Sequence, residues 1–281
     1  MSDPNAKCEL FRKLIRDPEI LVMPGAHDAL AARIFEAEGF KAVQASSWGI
    51  AATYGLPDGY MGMTECLEAV RRMVRAVDIP VNADAEDGYG TPADVYRTAC
   101  EFIQIGAVGM NLEDRLNRPG EKGWRIVDLR EMLEKIDAFL EARRDSRSAF
   151  VLNARTDALM AHPDDPARGL SEAVARGNAF AEKGADLVFV FGKHPREVVR
   201  TLAREIRAPI SITCYPGNLT VQELQGLGVA RTSLGIASVR FAAGAVQRFA
   251  KALRDLGTHG EEGVMPAPEV GGLIHRRQRG G

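Results

Sequence analysis

Two short acidic segments of the chain, DAED and LED, each end an apolar run, and their carboxylates could bind a metal ion. Asp84 and Glu86 are two residues apart, so in an extended strand their side chains project to the same side. Glu113 ends the next strand candidate, within reach of that pair. Converging carboxylates repel one another unless a cation lies between them, and oxygen ligands without His or Cys favour Mg²⁺ or Mn²⁺. The alternative is a carboxylate cluster neutralised by Arg155.

Arg155 ends a further strand candidate, in the segment NARTD. A buried guanidinium at a strand end suits a clamp on a substrate carboxylate, because its donors match the two carboxylate oxygens. The alternative is a purely structural partner for Glu113 or Asp157.

The segment SSWGIAATYGLPDG adds uncharged and acidic candidates. Ser46 and Ser47, followed by Trp48 and Gly49, could present a hydroxyl and backbone N–H groups to an anionic oxygen, with a plain strand-to-loop turn as the alternative. Asp58, between glycines, is by itself typical of a turn. A divalent ion, an arginine and anion-binding groups together suit the binding of α-oxo or α-hydroxy acids. The ion can stabilise the negative charge that develops on the oxygen of such an acid while an adjacent bond breaks.

These residues must be positioned by short apolar strands that alternate with amphipathic helices. Several helical stretches end in Gly just before the next strand, as helix C-caps do. Eight such units predict a single α/β domain, a (β/α)₈ TIM-type barrel, whose strand ends bring polar residues to one mouth. A doubly wound sheet is the alternative, but MPGAHD after the first strand is not a GxGxxG turn. The strand candidates are 20–26, 41–47, 79–86, 108–114, 149–157, 186–192, 208–214 and 230–235.

The barrel domain is expected to span residues 1–256, with a short helix at 6–17 before the first strand. Residues 257–281 form a Gly/Pro-rich tail with a basic end. That tail is expected to be unstructured, or to pack on a neighbouring subunit, rather than to bind nucleic acid.

Composition excludes several function classes. Lys+Arg 36 against Asp+Glu 38 gives a net charge of −2, so no global field draws the chain to nucleic acid or anionic lipid. No run approaches the ~18 apolar residues of a membrane helix. The 4 cysteines are far apart, which disfavours a disulfide framework or structural zinc. The N-terminus lacks the apolar core of a secretory signal, so a soluble, cytoplasmic protein is expected.

Six motifs resemble, in order and spacing, the isocitrate lyase/phosphoenolpyruvate mutase superfamily over about residues 8–256. They are MPGAHDALAARI, SSWGIAATYGLPDG, ADAEDGYG, NLED, NARTD and GVARTSLG. The resemblance implies an α/β barrel whose eighth helix is exchanged with a partner subunit, in homodimers or homotetramers. It also implies Mg²⁺-dependent chemistry through a pyruvate-like enolate.

The resemblance also implies roles for individual residues. Asp84 matches the principal metal-site carboxylate, and Glu86 stands where relatives usually have Asp, so its longer arm could reach the ion through water. Glu113 matches the third metal-site carboxylate, and Arg155 matches an arginine that contacts substrate. The segment 46–49 falls where the family binds the substrate carboxylate and carbonyl oxygen.

Asp58 falls on the proposed phosphoryl-carrying nucleophile of the mutase branch, which the lyases and decarboxylases keep as well. The gating loop after the fourth strand departs from the family. It reads EDRLNRPGEKGWRIVD, without the Lys-Lys/Arg-Cys-Gly-His run of isocitrate and methylisocitrate lyases, so their ordinary reactions are not expected. The Lys and Asn-Ser pattern of phosphoenolpyruvate mutase and phosphonopyruvate hydrolase is not clearly reproduced either. Asn117, Arg118 and Lys122 could contact an anionic substrate on closure, or lie in a solvated loop.

The leading hypothesis is a Mg²⁺-dependent lyase or decarboxylase that cleaves a C–C bond next to an α-oxo or α-hydroxy carboxylate. One alternative is P–C bond chemistry, a phosphonomutase or phosphonopyruvate hydrolase with Asp58 as nucleophile. The other is a catalytically silent barrel that binds metabolites.

Overall fold

Short buried strands alternate with helices along the chain, as the sequence pattern predicts. The computed structural model describes residues 4–116, 123–260 and 263–275. All eight strand candidates form, each shorter than predicted. The strands are β1 Leu21–Met23, β2 Gly25–Ala26, β3 Val43–Ala45, β4 Val81–Asp84, β5 Gly109–Glu113, β6 Val151–Thr156, β7 Leu187–Val190, β8 Ile210–Thr213 and β9 Arg231–Ser233.

The predicted first strand is two strands, separated at Pro24, which has no N–H to give to a ladder. The described strands pair in parallel in the order β1-β9-β8-β7-β6-β5-β4-β3-β2. Because β1 pairs with β9 and β2 pairs with β3, the interrupted strand closes the barrel. A side chain at Gly25 would lie 1.8 Å from the carbonyl oxygen of Gly235, so the closure requires glycine. The prediction of a TIM-type α/β barrel is confirmed.

Helices cover the outside of the barrel and one of its ends. The side chains of Cys8, Phe11 and Ile15 on the N-terminal helix pack with inward-facing Leu21 and Val151, so this helix closes the end opposite the polar mouth. The helices are α1 Pro4–Ile15, α2 Ala29–Ala37, α3 Ser47–Thr53, α4 Met63–Ala76, α5 Pro92–Gln104, α6 Leu129–Asp145, α7 Ala158–Ala161, α8 Pro166–Lys183, α9 Arg196–Glu205, α10 Val221–Gly226, α11 Ala237–Leu256 and α12 Ala267–His275. In the described part of the chain, none is long and apolar enough to cross a bilayer.

The two C-terminal helices differ in how they contact the barrel. No side chain of α11 is buried, and Phe241 and Leu256 are 81% and 75% exposed. The α12 helix packs on α2, where the Arg33 guanidinium donates to the Leu273 carbonyl. The expectation of an unstructured tail is therefore wrong for 267–275, which forms a helix in contact with α2.

Candidate active site

A cavity of about 580 Å³ opens at the C-terminal ends of the strands. Its volume lies within the range of about 300–1,000 Å³ found for small-molecule pockets. Most of the residues singled out from the sequence line it, whereas Gly49 does not. Those lining residues are Ser46, Ser47, Trp48, Asp58, Asp84, Glu86, Glu113 and Arg155.

Glu86 reaches the cavity from a turn rather than from the strand. The β4 strand ends at Asp84, and Glu86 and Tyr89 have φ values of +49° and +63°, a conformation that side chains other than glycine rarely adopt. The expectation that alternation along one strand directs both carboxylates to the cavity is therefore wrong. Lys135 holds this turn by donating from Nζ to the carbonyl of Asp87 at 2.9 Å. Left-handed non-glycine residues cluster at functional sites, where the surrounding structure supports the strain.

The carboxylates on this side of the cavity are buried close to one another. Burial is the main cause that raises the pKa of Asp84, and the nearby carboxylate of Asp58 adds to it. Burial, followed by the charges of Asp84 and Asp58, raises the pKa of Glu86 to about 8. A cation bound among these carboxylates would stabilise their negative charge in this buried site.

Arg155 joins the carboxylates to the rest of the barrel. Glu113 and Arg155 are cross-strand neighbours on β5 and β6, and Nη1 of the arginine lies 2.5 Å from Oε2 of the glutamate. Nε and Nη2 of Arg155 donate to the two carboxylate oxygens of Asp157, each at 3.0 Å. Burial acts against the charge, yet Asp157 and Glu113 raise the pKa of Arg155, so it stays cationic. The structure thus contains the ion-paired arrangement that the sequence left open as an alternative.

No group of three or more His, Cys, Asp or Glu side chains within the described ranges is arranged to hold a metal ion. Glu113 is drawn toward Arg155, whereas Asp84 keeps two neutral partners. Its oxygens accept from the Ser47 hydroxyl at 3.2 Å and from the Asn111 amide at 3.4 Å. Hard oxygen donors with surplus charge fit Mg²⁺ by their chemistry, with Asp84 as the centre of the set. The Mg²⁺ prediction stays a prediction.

The serine pair begins helix α3. Ser46 is the N-cap, and its hydroxyl accepts from the Gly49 N–H at 3.3 Å, so that N–H is already engaged. Ser47 faces the cavity and holds Asp84, and Trp48 lines the cavity beside it. Ser47 and Asp84 therefore line the cavity side by side, joined by this hydrogen bond.

Asp58 enters the cavity from the loop after α3 and forms an ion pair with Arg115, Nη1 to Oδ2 at 3.4 Å. The Arg115 guanidinium also lies over the Trp124 ring, 4.1 Å from its centroid. These contacts link the loop of Asp58 to both flanks of the predicted gating loop. Asn117, Arg118 and Lys122 of that loop lie outside the described residues.

A layer of amide side chains crosses the barrel below the carboxylates. Arg231, fully buried, donates to the Gln44 side-chain oxygen, which also accepts from Asn82 at 2.9 Å. Asn82 donates to Asn111 at 3.0 Å, and Asn111 donates to Asp84. A continuous chain of hydrogen bonds thus runs from Arg231 to the carboxylate. Burial lowers the pKa of Arg231 to about 10, which still leaves it charged at neutral pH.

The side of the cavity formed by β7 and β8 is aromatic. Phe191 lies 3.9 Å from the Arg155 guanidinium, measured to its ring centroid, and packs on Trp124 with centroids 5.5 Å apart. Phe189 meets Phe191 edge-on, and Tyr215 follows β8. Of the polar residues that follow β7, Lys193 is exposed and His194 is buried outside the cavity.

Sequence reasoning missed several lining residues, among them Gln44, Asn111, Arg115, Trp124 and Phe189. Gln44 and Asn111 could have been found from polarity at every second position, as in VQAS and MNLE. Trp124 carries no comparable signal, because its place depends on how its loop returns to the barrel.

The chain matches the family described as phosphoenolpyruvate phosphomutase over residues 11–254. It is 32% identical over 275 residues to 2-methylisocitrate lyase of Halalkalibacterium halodurans, covering 94% of this chain and 88% of that protein. It is 32% identical over 254 residues to 2,3-dimethylmalate lyase of Eubacterium barkeri, covering 87% and 85%. A solved structure of oxaloacetate acetylhydrolase in complex with 3,3-difluorooxalacetate superposes with a TM-score of 0.89 at 26% identity, covering 99% and 96%.

The fold, the acidic mouth and these similarities define an α/β-barrel enzyme of the isocitrate lyase/phosphoenolpyruvate mutase superfamily, grouped with carbon–carbon bond lyases. Within that superfamily, the chain belongs to the phosphoenolpyruvate phosphomutase family. The resemblance drawn from the motifs is confirmed, and the interpretation as a catalytically silent barrel is not supported.

Proposed function

We propose that this enzyme cleaves the bond between C2 and C3 of a 2-hydroxy or 2-oxo dicarboxylic acid, with Mg²⁺ bound at Asp84. The observation that carries the proposal is the pairing of a buried acidic cluster with the Arg155 guanidinium in one cavity. The similarity to 2-methylisocitrate lyase and 2,3-dimethylmalate lyase supports a carbon–carbon lyase over P–C bond chemistry.

In a 2-hydroxy acid, a base takes the hydroxyl proton, the O–H electron pair forms the C2 carbonyl, and the C2–C3 pair moves onto C3, which then takes a proton from solvent. A 2-oxo acid must first add water at C2, and one of the two hydroxyls then takes the same part. Asp58 is the proposed base, since its ion pair with Arg115 orients the carboxylate at the cavity. Arg155 and the Ser46–Trp48 segment position the C1 carboxylate.

The metal site is proposed on donor chemistry. Asp84 would hold Mg²⁺, with Glu86 and Glu113 contributing directly or through water. A bound Mg²⁺ would supply positive charge to the carboxylate and C2 oxygen of the acid. Ser47 and Asn111 orient the Asp84 oxygens, and the amide layer below keeps Asn111 in place.

Proton and phosphorus NMR time courses on separate acids with Mg²⁺ test the proposal. The panel is oxaloacetate, malates substituted at C2 or C3, phosphonopyruvate and phosphoenolpyruvate. A pair of carboxylic acids should appear from the oxaloacetate and malate arms, at a rate lowered at least about 10²-fold in Asp84→Asn. A change confined to the phosphorus resonances would instead favour P–C chemistry with Asp58 as nucleophile.

We also propose that α11, the helix after the last strand of the barrel, packs on a second copy of the chain. The resemblance implies this exchange for the eighth helix of the barrel, which is α11 here. Its exposed Phe241, Val246 and Phe249 support this, because such a row of apolar side chains is rare on a free surface. Light scattering after gel filtration should give a dimer or tetramer, weakened in Phe249→Glu and unchanged in Arg130→Glu on the exposed face of α6. A monomeric wild-type chain would contradict the proposal.

A further inference from the structure

Charge is distributed unevenly around the cavity. The lining residues from β4 to β6 include Asp84, Glu113 and Arg155, whereas those on and just after β7 and β8 carry no charge. The uncharged members in the described chain are Phe189, Phe191, Thr213, Cys214, Tyr215 and Pro216. A substrate held by its carboxylate at the first side must therefore place its remaining substituent against the second.

Three aromatic side chains of this second side form one packed surface. Phe189 and Phe191 meet with ring centroids 5.9 Å apart, and Trp124 covers Phe191 from the loop after β5. Tyr215 lines the same cavity after β8. We call Trp124, Phe189, Phe191 and Tyr215 the aromatic wall. An alkyl group is stabilised when it is buried against a ring face. A carboxylate buried there loses its hydrogen bonds to water, and the ring face offers none in their place.

The described cations of the cavity already have a role or a partner, or are exposed. Arg155, paired with Glu113 and Asp157, is assigned to the C1 carboxylate by the proposed function, and Arg115 is paired with Asp58 and lies over the wall at Trp124. Arg240 follows β9 at the start of α11 and, within the described ranges, makes no cation–π contact with the rings of the wall. Among the described residues, a carboxylate placed against the aromatic wall would thus lose its hydration without gaining a free, buried cationic partner.

On the basis of the proposed function, we infer that the substrate carries an alkyl or other apolar substituent on the dicarboxylic acid and not a third carboxylate. The cavity of about 580 Å³ leaves room for such a group beside the four-carbon acid. Phe191 is the residue most directly responsible, because it contacts both Arg155 and Trp124.

The experiment compares substituents of similar shape and different charge. One series is 2-methylmalate with hydrogen, methyl, isobutyl or carboxymethyl at C3, the last being 2-methylisocitrate. A second varies C2 and compares 2-isobutylmalate with citrate. We expect kcat/KM for isobutyl to exceed that for carboxymethyl by ~100-fold or more, since the latter buries an unpaired charge.

Two variants of Phe191 separate the wall from a general loss of activity. Phe191→Leu and Phe191→Gln both remove the ring from Arg155, but only Gln makes the wall polar. The ratio of kcat/KM for the isobutyl substrate to kcat/KM for the substrate with hydrogen should fall roughly tenfold in Phe191→Gln and change little in Phe191→Leu. An equal fall in both variants would show that the wall does not select the substituent.

The two proposals fail in different ways. Cleavage of the carboxymethyl acids in preference to the isobutyl acids overturns this inference and leaves the lyase intact. If no acid of either series is cleaved, the proposed function fails, and calorimetry with the same acids and Mg²⁺ still decides the inference. Tighter binding of the isobutyl acids would support it, and tighter or equal binding of the tricarboxylic acids would overturn it.

Discussion

The two sides of the barrel mouth are built on equivalent strand positions and have opposite chemistry. Arg155 on β6 and Phe189 on β7 are register partners, and both point into the cavity. On the charged side, the ion pairs of Arg155 with Glu113 and Asp157 are buried, and each member depends on its partner. On the aromatic side, the contacts are between uncharged rings. In the two proposals, the charged side therefore carries the groups that act in the reaction, and the aromatic wall contacts the remaining substituent of the substrate.

Removing the central cation should have the largest effect. Arg155→Gln leaves Glu113 and Asp157 buried without their cation, which should lower the free energy of unfolding by about 3–5 kcal/mol. It should also lower kcat/KM by ~10²–10³-fold. The matched control is Arg176→Gln, which breaks the buried pair with Asp114 away from the cavity. The free energy of unfolding, measured in urea, should fall in both variants, whereas kcat/KM should fall only in Arg155→Gln. An equal loss of kcat/KM in both variants would show that Arg155 acts through stability alone.

Acid should destabilise the aromatic side through His194, whose Nε2–H donates to the Phe191 carbonyl at 3.0 Å. Burial lowers its pKa from 6.5 to about 4. Between these values the unfolded chain binds a proton that the folded chain does not, so stability falls as the pH decreases from 6.5 to 4. The contribution is at most about 3 kcal/mol. In urea unfolding at stepped pH, His194→Gln should lack this component; an identical pH dependence would contradict the prediction.

The Arg231 guanidinium offers a smaller test below the mouth. Its Nε and Nη1 have no hydrogen-bond partner among the described residues. Replacing a buried, incompletely paired charge by an apolar side chain is often neutral or stabilising, so Arg231→Met should raise the unfolding free energy by about 1 kcal/mol. Because the hydrogen-bond chain to Asp84 loses its end, kcat should fall roughly tenfold with KM little changed. Arg231→Lys, which keeps the charge, should recover part of kcat; a stability loss in Arg231→Met would refute the argument.

The smallest effect is expected where the two sides touch, at Trp124. Its ring contacts Arg115 and Phe191 at the edge of the cavity. Trp124→Leu should cost about 0.5–1 kcal/mol, seen as a two- to fivefold rise in KM for the alkyl acids. Trp124→Phe keeps a ring at this position, so its KM should lie between that of Trp124→Leu and that of the wild type. An unchanged KM would remove Trp124 from the aromatic wall.

Much of the fold followed from local pattern. Short apolar runs and helix-ending glycines located all eight strand candidates, because a parallel barrel repeats the same local unit. The split at Pro24 and the α12 helix were missed. The first depends on which strand each half pairs with, and the second depends on the contact with α2, so neither is visible in the segment itself.

The sequence by itself determined the acidic segments, the arginine at the end of NARTD and the apolar side chains of β7. Their types and their places at strand ends are written in the chain, and parallel topology brings strand ends together. Only the tertiary structure decided that Glu113 meets Arg155, that Glu86 enters through a left-handed turn, and that Trp124 covers Phe191. Those contacts depend on strand register and loop path, which are set by packing over long sequence separations and not by the local residues.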